Sequence, residues 1–155
     1  MKVEAVMKTR VFSIEESATL VDAICLMVEQ GIGLLPVVND ERRIVGVIGL
    51  SDILRLSWPS FVDFVEDYDF VHDFGALESR EVSIEQRQQP ISELMMPPTA
   101  VDTNCGLLRA AAVMRQHRLR DLPVVDAQER LVGLVSWVDV GTAFFRDLCE
   151  IEYQS

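Results

Sequence analysis

The side chains with which this chain could perform chemistry are few, and the most suggestive group lies in its second half. Ser136 and Asp139 are three residues apart, and Gly133 precedes the serine by the same interval. An aspartate between a strand and a helix often only caps the helix. A carboxylate also offers several acceptor sites that the hydroxyl groups of a ligand can use. From these residues alone, a helix cap and a ligand site are equally good interpretations of Asp139.

Arg118 and Arg120 stand shortly before the same stretch. Guanidinium groups bind phosphate through charge-assisted hydrogen bonds, which are stronger than neutral ones. The chain also contains 25 acidic residues, with which these arginines could form surface ion pairs of little energetic value. Both interpretations of the arginine pair remain open.

No arrangement of residues indicates catalysis or a metal centre. His72 and His117 are isolated from other candidate ligands. The sequence has no GxSxG, HExxH, P-loop or Rossmann glycine pattern. Its three cysteines (Cys25, Cys105 and Cys149) are far apart and lack CxxC spacing, as expected of reduced thiols in the cytoplasm. We therefore expect no enzyme and no metal site.

The stretch that contains Asp139 occurs twice, as LLPVVNDERRIVGVIGLSD (34–52) and DLPVVDAQERLVGLVSWVD (121–139). In each copy two short apolar runs flank a polar turn, which predicts a β-hairpin. The copies align without a gap at an offset of 87 residues from Ile14 to Leu54, which identifies an internal repeat. The first copy has Asp52 where the second has Asp139, but it has Gly49 in place of Ser136.

The residues around each hairpin predict the same order of elements in both repeats. Apolar residues at helical spacing predict a helix that begins after Ser17 as N-cap in the first repeat and after Asn104 in the second. The hairpins are predicted at 34–49 and about 119–136. A short helix capped by Ser51 or Asp52 should follow over 53–56, and a last helix should begin near Asp139.

Residues 57–93 have no counterpart within the repeats and form a connector. Aromatic residues at helical spacing, with acidic residues between them, predict an amphipathic helix here. Its apolar face could pack on its own domain or face a partner, and the sequence does not favour either alternative. The predicted organisation is a first repeat at 1–56, a connector at 57–93 and a second repeat with a terminal helix at 94–155.

Composition limits the partners of the chain. The net charge of −11 argues against nucleic acid or an anionic membrane as a general partner, since both require a basic surface. No apolar run is long enough to span a membrane, and the amino terminus lacks the apolar region of a signal peptide, so we expect a cytoplasmic protein. The apolar content of 49% is high for a soluble domain and favours self-association, most simply a homodimer.

Together these features resemble a tandem pair of CBS domains, the modules named for cystathionine β-synthase. The resemblance rests on a capped helix ending in a Met, the xLPVVD run, and the G-x-x-[ST]-x-x-D pattern, all in two copies. It implies an α+β fold in which two βαββα repeats pack through their sheets with pseudo-two-fold symmetry. It also implies that clefts between the sheets bind adenosine derivatives such as AMP, ADP, ATP or S-adenosylmethionine.

The resemblance also implies roles for particular residues. In the second repeat, which keeps the motif from Gly133 onward, Asp139 would accept hydrogen bonds from the ribose and Ser136 would help hold ribose or phosphate. Arg118 and Arg120, just before the LPVV strand, would contact phosphates. The wall for adenine would come from the first repeat, and its predicted residues are Lys8 with those up to 13, Ile32 and Gly33.

The first repeat departs from the motif. Gly49 removes the hydroxyl group, and Gly31 and Gly33 stand where the second repeat has its two arginines. The site built on Asp52 is therefore expected to be empty or to hold only an uncharged adenosyl group.

The sequence thus favours a stand-alone regulatory module that binds an adenosine nucleotide in one main cleft, forms a homodimer and modulates an unknown partner protein. The alternative is a ligand-free interaction or scaffold module in which both clefts have decayed.

Overall fold

The computed structural model of the chain describes residues 1–57 and 82–152, and for five residues near the carboxyl end (147 and 149–152) it describes the backbone alone. The predicted connector helix and its aromatic residues, His72, and Tyr153 lie outside the described residues. The described part of the connector contains one α-helical turn capped by Ser83 and, after it, a 3-10 turn.

The first repeat contains a three-stranded sheet and two helices. Its elements are β1 (Ile14–Glu15), α1 (Leu20–Gln30), β2 (Leu34–Val38), β3 (Ile44–Gly49) and α2 (Leu50–Ser57). Strand β2 lies in the middle, parallel to β1 and antiparallel to β3. The predicted hairpin at 34–49 is therefore confirmed.

The second repeat has the same topology. After the short helix α3 (Ile84–Arg87) and a 3-10 turn (Ile91–Glu93) come β4 (Val101–Asp102), α4 (Leu107–Gln116), β5 (Asp121–Val125), β6 (Leu131–Ser136) and α5 (Trp137–Glu152). Strand β5 is parallel to β4 and antiparallel to β6. The predicted α+β fold of two similar repeats is confirmed.

Three predicted helix caps are wrong. Helix α1 begins after Thr19, because Thr19 and Asp22 satisfy each other's backbone N–H groups, and Ser17 lies before this capping box. Helix α4 begins after Gly106, which makes no side-chain cap, while Asn104 accepts a hydrogen bond from Lys2 instead. Helix α2 begins directly at the end of β3, so the predicted caps Ser51 and Asp52 lie within it.

A pseudo-two-fold axis passes between the tips of the two hairpins. Arg43 and Arg130, which are equivalent in the two repeats, form an antiparallel β-bridge with each other. The N–H of Ile44 donates to the carbonyl of Glu129 at 3.2 Å, and the N–H of Leu131 donates to the carbonyl of Arg42 at 3.0 Å. Because each of these bonds is the symmetry equivalent of the other, the two repeats are related by a half turn at this point.

The segment before each repeat packs on the other repeat. We call residues 1–8 and 89–96 the leading segments. Lys8 exchanges backbone hydrogen bonds of 2.8 and 2.9 Å with Leu134 of β6, and Met96 exchanges bonds of 3.0 and 2.8 Å with Val47 of β3. Val3 is buried in the core of the second repeat, whereas Ile91 is buried in the core of the first. The chain therefore ties its two halves together by exchanging these segments.

Two glycines make room for the leading segments. A Cβ atom at Gly46 would stand 2.7 Å from Cγ and 2.9 Å from Cβ of Met95, distances that real Cβ atoms do not reach. At the equivalent Gly133 a Cβ atom would meet the thioether of Met7 and would lie 3.2 Å from the carbonyl oxygen of Lys8. A glycine at this point of the strand lets the methionine of the opposite half lie directly on the backbone.

We expect Gly46→Ala to lower the free energy of unfolding by about 1–3 kcal/mol, because the added methyl group overpacks a site filled by Met95. Urea denaturation measures the change. Gly33→Ala is the matched control, since a Cβ there meets nothing within 4 Å, and it should be nearly neutral. Met95→Ala in the Gly46→Ala background should cost less than it does alone. Equal effects of the two glycine substitutions would contradict this account of the packing.

Candidate functional site

Asp139 lies in a small network at the start of α5. Its Oδ2 atom accepts hydrogen bonds from the Ser136 N–H at 2.8 Å, from the Ser136 hydroxyl at 2.6 Å and from the Lys8 ammonium group at 3.1 Å. The Asp139 N–H donates back to Ser136 Oγ at 3.2 Å, which completes a reciprocal cap of the helix. The cap is real, but it uses only one of the two carboxylate oxygens. Oδ1 receives no hydrogen bond from the residues that the structure describes.

The network keeps Asp139 ionised. Burial by itself would raise the pKa of this carboxyl, but the hydrogen bonds from Ser136 and Lys8 outweigh it and lower the pKa below its ordinary value of 3.8. The side chain of Asp139 is 14% exposed, so it lies near the protein surface and not in the core. A partly exposed carboxylate with one unused oxygen is suited to accept hydroxyl donors from a ligand.

Next to this network is a cleft of about 360 Å³ between the two repeats, which we call the first cleft. One wall is formed by the end of the leading segment and the chain that follows it, with Lys8 and Arg10. The opposite wall is the loop between α1 and β2, including Ile32 and Gly33, and Asp121 closes one side. Of the residues predicted as an adenine wall, Lys8, Arg10, Val11, Phe12, Ile32 and Gly33 line this cleft, and Thr9 and Ser13 do not. Asp139 itself lines a neighbouring cavity of about 430 Å³, and Lys8 connects it to the first cleft.

Arg118 and Arg120 line a different cleft. They face Asp52, Ser51 and Gly49 across a cavity of about 520 Å³, which we call the second cleft. The sequence grouped the two arginines with Asp139 of their own repeat, and the structure does not bring them together there. The physical reason is that each cleft is formed between the repeats: the loop before β5 faces the helix that follows β3, across the pseudo-two-fold axis.

The two clefts are thus chemically unlike. Beside the first cleft, Asp139 has the hydroxyl of Ser136 and the ammonium of Lys8, whereas Asp52 has Gly49 and, in an adjoining cavity of about 250 Å³, Met96 at the equivalent positions. Asp52 is exposed, with no cation from the leading segment on it. The cations that line the second cleft are instead the arginines of the loop before β5.

Arg118 adopts an uncommon backbone conformation. Its φ of 55° is in the left-handed region, and at the equivalent position Gly31 has a φ of 64°. Glycine occupies this region at no steric cost, whereas a residue with a Cβ atom is destabilised there by about 1–2 kcal/mol. The second repeat therefore tolerates strain at the point where an arginine side chain enters the second cleft.

Gly133 lies beneath Met7 and the Lys8 carbonyl, so its observed role is close packing of the leading segment. Its predicted contact with a nucleotide stays a prediction. The same holds for Ser136, Asp139, Arg118, Arg120, Lys8, Ile32, Gly33 and Asp52 as ligand contacts.

Asp121, which the sequence prediction missed, lies between the first and the second cleft. It pairs with Ser136 in the β5–β6 ladder and lines both clefts. Burial raises its pKa above the ordinary value of 3.8, the nearby charge of Asp139 raises it further, and Lys8 and Arg120 oppose these effects. The clue in the sequence was an aspartate at the first position of DLPVV, where the other repeat has Leu34.

We expect Asp121→Asn to make the folded chain more stable at pH 7. Because the pKa of Asp121 is raised on folding, its ionised form destabilises the folded state, and the stability it contributes at low pH is lost as the pH rises through the folded-state pKa. The advantage of the amide should therefore shrink as the pH falls toward 3.8. Urea denaturation at pH 7, 5 and 4 measures it.

Asp126→Asn provides a control of opposite sign. Hydrogen bonds from Arg130 lower the pKa of Asp126, so its ionised form stabilises the fold and the loss on substitution should be largest at neutral pH. A stability difference for Asp121→Asn that did not vary with pH would contradict the assigned electrostatic cause.

Two further observations concern the described residues. No three His, Cys, Asp or Glu side chains among them come close enough to hold a metal ion, and Cys25 and Cys105 are free thiols. None of the helices in this part of the chain is both long enough and apolar enough to cross a membrane.

Comparison with known proteins agrees with this geometry. CBSX2, a CBS domain-containing protein of Arabidopsis thaliana chloroplasts, is 29% identical over 133 residues, which are 79% of this chain and 54% of the relative. An uncharacterized protein of Methanocaldococcus jannaschii, MJ1404, is 29% identical over 90% of this chain and 31% of its own length. The chain therefore spans about half, or less, of these curated relatives.

Solved structures show the same architecture. The structure of CBSX2 in complex with AMP is 28% identical in sequence, with a TM-score of 0.70 over 94% of this chain and 96% of that one. A protein described as an acetoin utilization protein (AcuB) from Vibrio cholerae is 28% identical, with a TM-score of 0.69 over 100% of this chain and 97% of that one. The family model of the CBS domain matches residues 3–58 and again residues 91–144. This chain therefore belongs to the CBS domain family and contains a tandem CBS pair.

Proposed function

We propose that this chain is a regulatory module that binds an adenosine nucleotide in the first cleft and thereby modulates a partner protein. The ligand is AMP, ADP, ATP or S-adenosylmethionine, with its ribose on Asp139. The observation that carries the proposal is the Asp139 network, in which one carboxylate oxygen is held by Ser136 and Lys8 while the other is unused by the described residues.

The shape and chemistry of the cleft support the proposal. A cleft of about 360 Å³ is within the range of small-molecule sites. Phe12, Val11 and Ile32 give it apolar surface for a base, and Lys8 and Arg10 supply positive charge in an otherwise acidic chain. A ribose diol would donate to Asp139, and a phosphate would accept from the cations.

The AMP complex of CBSX2 adds independent support, because that protein shares the fold over nearly the whole of this chain at 28% identity. Arg118 and Arg120 suit a second ligand with phosphate in the second cleft, and the strain at Arg118 is consistent with such a use.

The regulatory role is supported by the position of the clefts between the repeats. A ligand in the first cleft touches the Lys8 segment, which is anchored on the second repeat, and the Ile32–Gly33 loop, which belongs to the first. Because the ligand contacts both repeats, its binding can change how the repeats pack against each other and which surface they present to a partner. Relatives that are enzymes, such as an inosine-5'-monophosphate dehydrogenase of Aquifex aeolicus, match this chain over only 19% of their length.

We also propose that the chain forms a homodimer through its helices. Helix α5 exposes Val138, Phe144, Phe145 and Leu148, and α4 exposes Leu108. Phe145 alone is 62% exposed. Several large apolar side chains exposed on neighbouring turns of one helix favour an interface, in which buried aromatic residues contribute strongly.

We expect Asp139→Ala to weaken binding of AMP by about 10–100-fold, because hydrogen bonds to a charged group contribute roughly 1.5–3 kcal/mol. Isothermal titration calorimetry gives the affinity. Asp40→Ala, which removes an exposed carboxylate from a hairpin turn, is the control and should bind as the wild type does. Thermal melting separates lost binding from the cost of losing the α5 cap, which is about 1 kcal/mol.

Unchanged affinity for AMP in Asp139→Ala would remove the ribose assignment. Failure of the wild-type chain to bind any of the four adenosine compounds would favour the alternative, a scaffold module with decayed clefts.

We expect Phe145→Asp to convert the dimer to monomers, because a charge would be buried in the apolar interface. Sedimentation velocity at micromolar concentration measures the change. Ala127→Asp, in an exposed hairpin turn, should leave the dimer intact. A wild-type chain that sediments as a monomer would refute the dimer.

A further inference from the structure

We infer that Lys8 determines which class of adenosine compound the first cleft accepts: it selects ligands that carry phosphate over ligands that are uncharged or cationic. The inference rests on the proposed nucleotide binding and specifies the ligand class of that same site.

The backbone of Lys8 is fixed, while its side chain is not. Its N–H and carbonyl groups are both bonded to Leu134, at 2.8 and 2.9 Å, which anchors its Cα beside β6. The side chain is 55% exposed, and its ammonium lies 3.1 Å from Asp139 Oδ2 and 3.4 Å from Ser136 Oγ. Exposed ion pairs contribute little to stability, so a ligand can replace this one at small cost.

The ammonium group occupies part of the polar surface that a ribose would use. When ribose hydroxyl groups bind Asp139, Lys8 gives up some of its contact with the carboxylate. Its anchored backbone keeps it at the edge of the same cleft, beside Arg10. A phosphate there offers a new charge-assisted acceptor, whereas adenosine offers none. Phosphate thus restores the interaction that ribose binding removes.

The remaining charges of the cleft show why Lys8 decides the preference. Lys8, Arg10 and Asp121 line the cleft, Lys8 also contacts Asp139 beside it, and Arg120 lies close enough to Asp121 to lower its pKa. These groups carry three positive charges against two negative ones, so the site favours phosphate. Removing Lys8 leaves two charges of each sign, which ends the excess attraction for phosphate and the excess repulsion of the sulfonium of S-adenosylmethionine.

The other leading segment, residues 89–96, provides an internal comparison. Met96 makes the same backbone bridge with Val47 that Lys8 makes with Leu134, yet it has no charge. The second cleft obtains its cations from the arginines of the loop instead. Lys8→Met therefore places at this bridge the residue type that the other leading segment has there, Met96, and it leaves the backbone pairing with Leu134 in place.

The test is calorimetric titration of the full chain with AMP, adenosine and S-adenosylmethionine, in an Asp52→Ala background that weakens the second cleft. We expect AMP to bind tighter than adenosine, and Lys8→Met to weaken AMP by about tenfold or more while changing adenosine by less than about twofold. S-adenosylmethionine should bind tighter to Lys8→Met than to the parent.

Two further variants control the test. Lys8→Arg should keep the preference for AMP, because it keeps the charge. Lys2→Met removes another exposed lysine of the same leading segment, one that bonds Asn104, and should change no affinity. Circular dichroism confirms that each variant is folded.

The outcomes separate the two proposals. If Lys8→Met binds AMP and adenosine in the same ratio as its parent, the inference about Lys8 is wrong and nucleotide binding stands. If the parent binds none of the three compounds, nucleotide binding at this cleft fails, and the inference fails with it.

Discussion

The exchange of leading segments is the constraint on which the rest of this structure depends. A single repeat of about 50 residues would bury too little apolar surface to be comfortably stable. Here each repeat completes its core with residues from the other half of the chain, such as Val3 in one and Ile91 in the other. The β-bridges of Lys8 with Leu134 and of Met96 with Val47 satisfy the backbone groups of these segments. The two repeats are consequently one folding unit.

The same exchange creates the clefts and sets their chemistry. A leading segment that crosses to the opposite sheet brings its side chain beside the aspartate of that sheet, so Lys8 meets Asp139 and Met96 lies in the cleft of Asp52. The loops before the middle strands face the same cavities from the other side. Gly31 and Gly33 therefore face the first cleft, and the two arginines face the second. A symmetric backbone thus carries two chemically distinct clefts.

Asp121 and the strained Arg118 show where this asymmetry has an energetic cost. Asp121 replaces the Leu34 of the other repeat with a half-buried carboxylate, and its raised pKa means that its charge destabilises the fold at neutral pH. Arg118 occupies a left-handed position that its counterpart fills with Gly31. Both residues line the second cleft, which is the pattern expected when a site is selected for something other than stability.

The sequence by itself determined the repeat and both hairpins, because these follow from local hydrophobic periodicity and turn composition, which two copies at an offset of 87 residues both show. The α+β fold followed from the resemblance to CBS domain pairs, which the motifs in both copies carry. It also identified Ser136 and Asp139 as a pair, since they lie within one turn of the same junction. Only the tertiary structure decided which cation meets which aspartate. The resemblance to CBS domains groups Arg118 with Asp139 of the same repeat, but the clefts form across the pseudo-two-fold axis, where Lys8 reaches Asp139 over 131 residues of sequence.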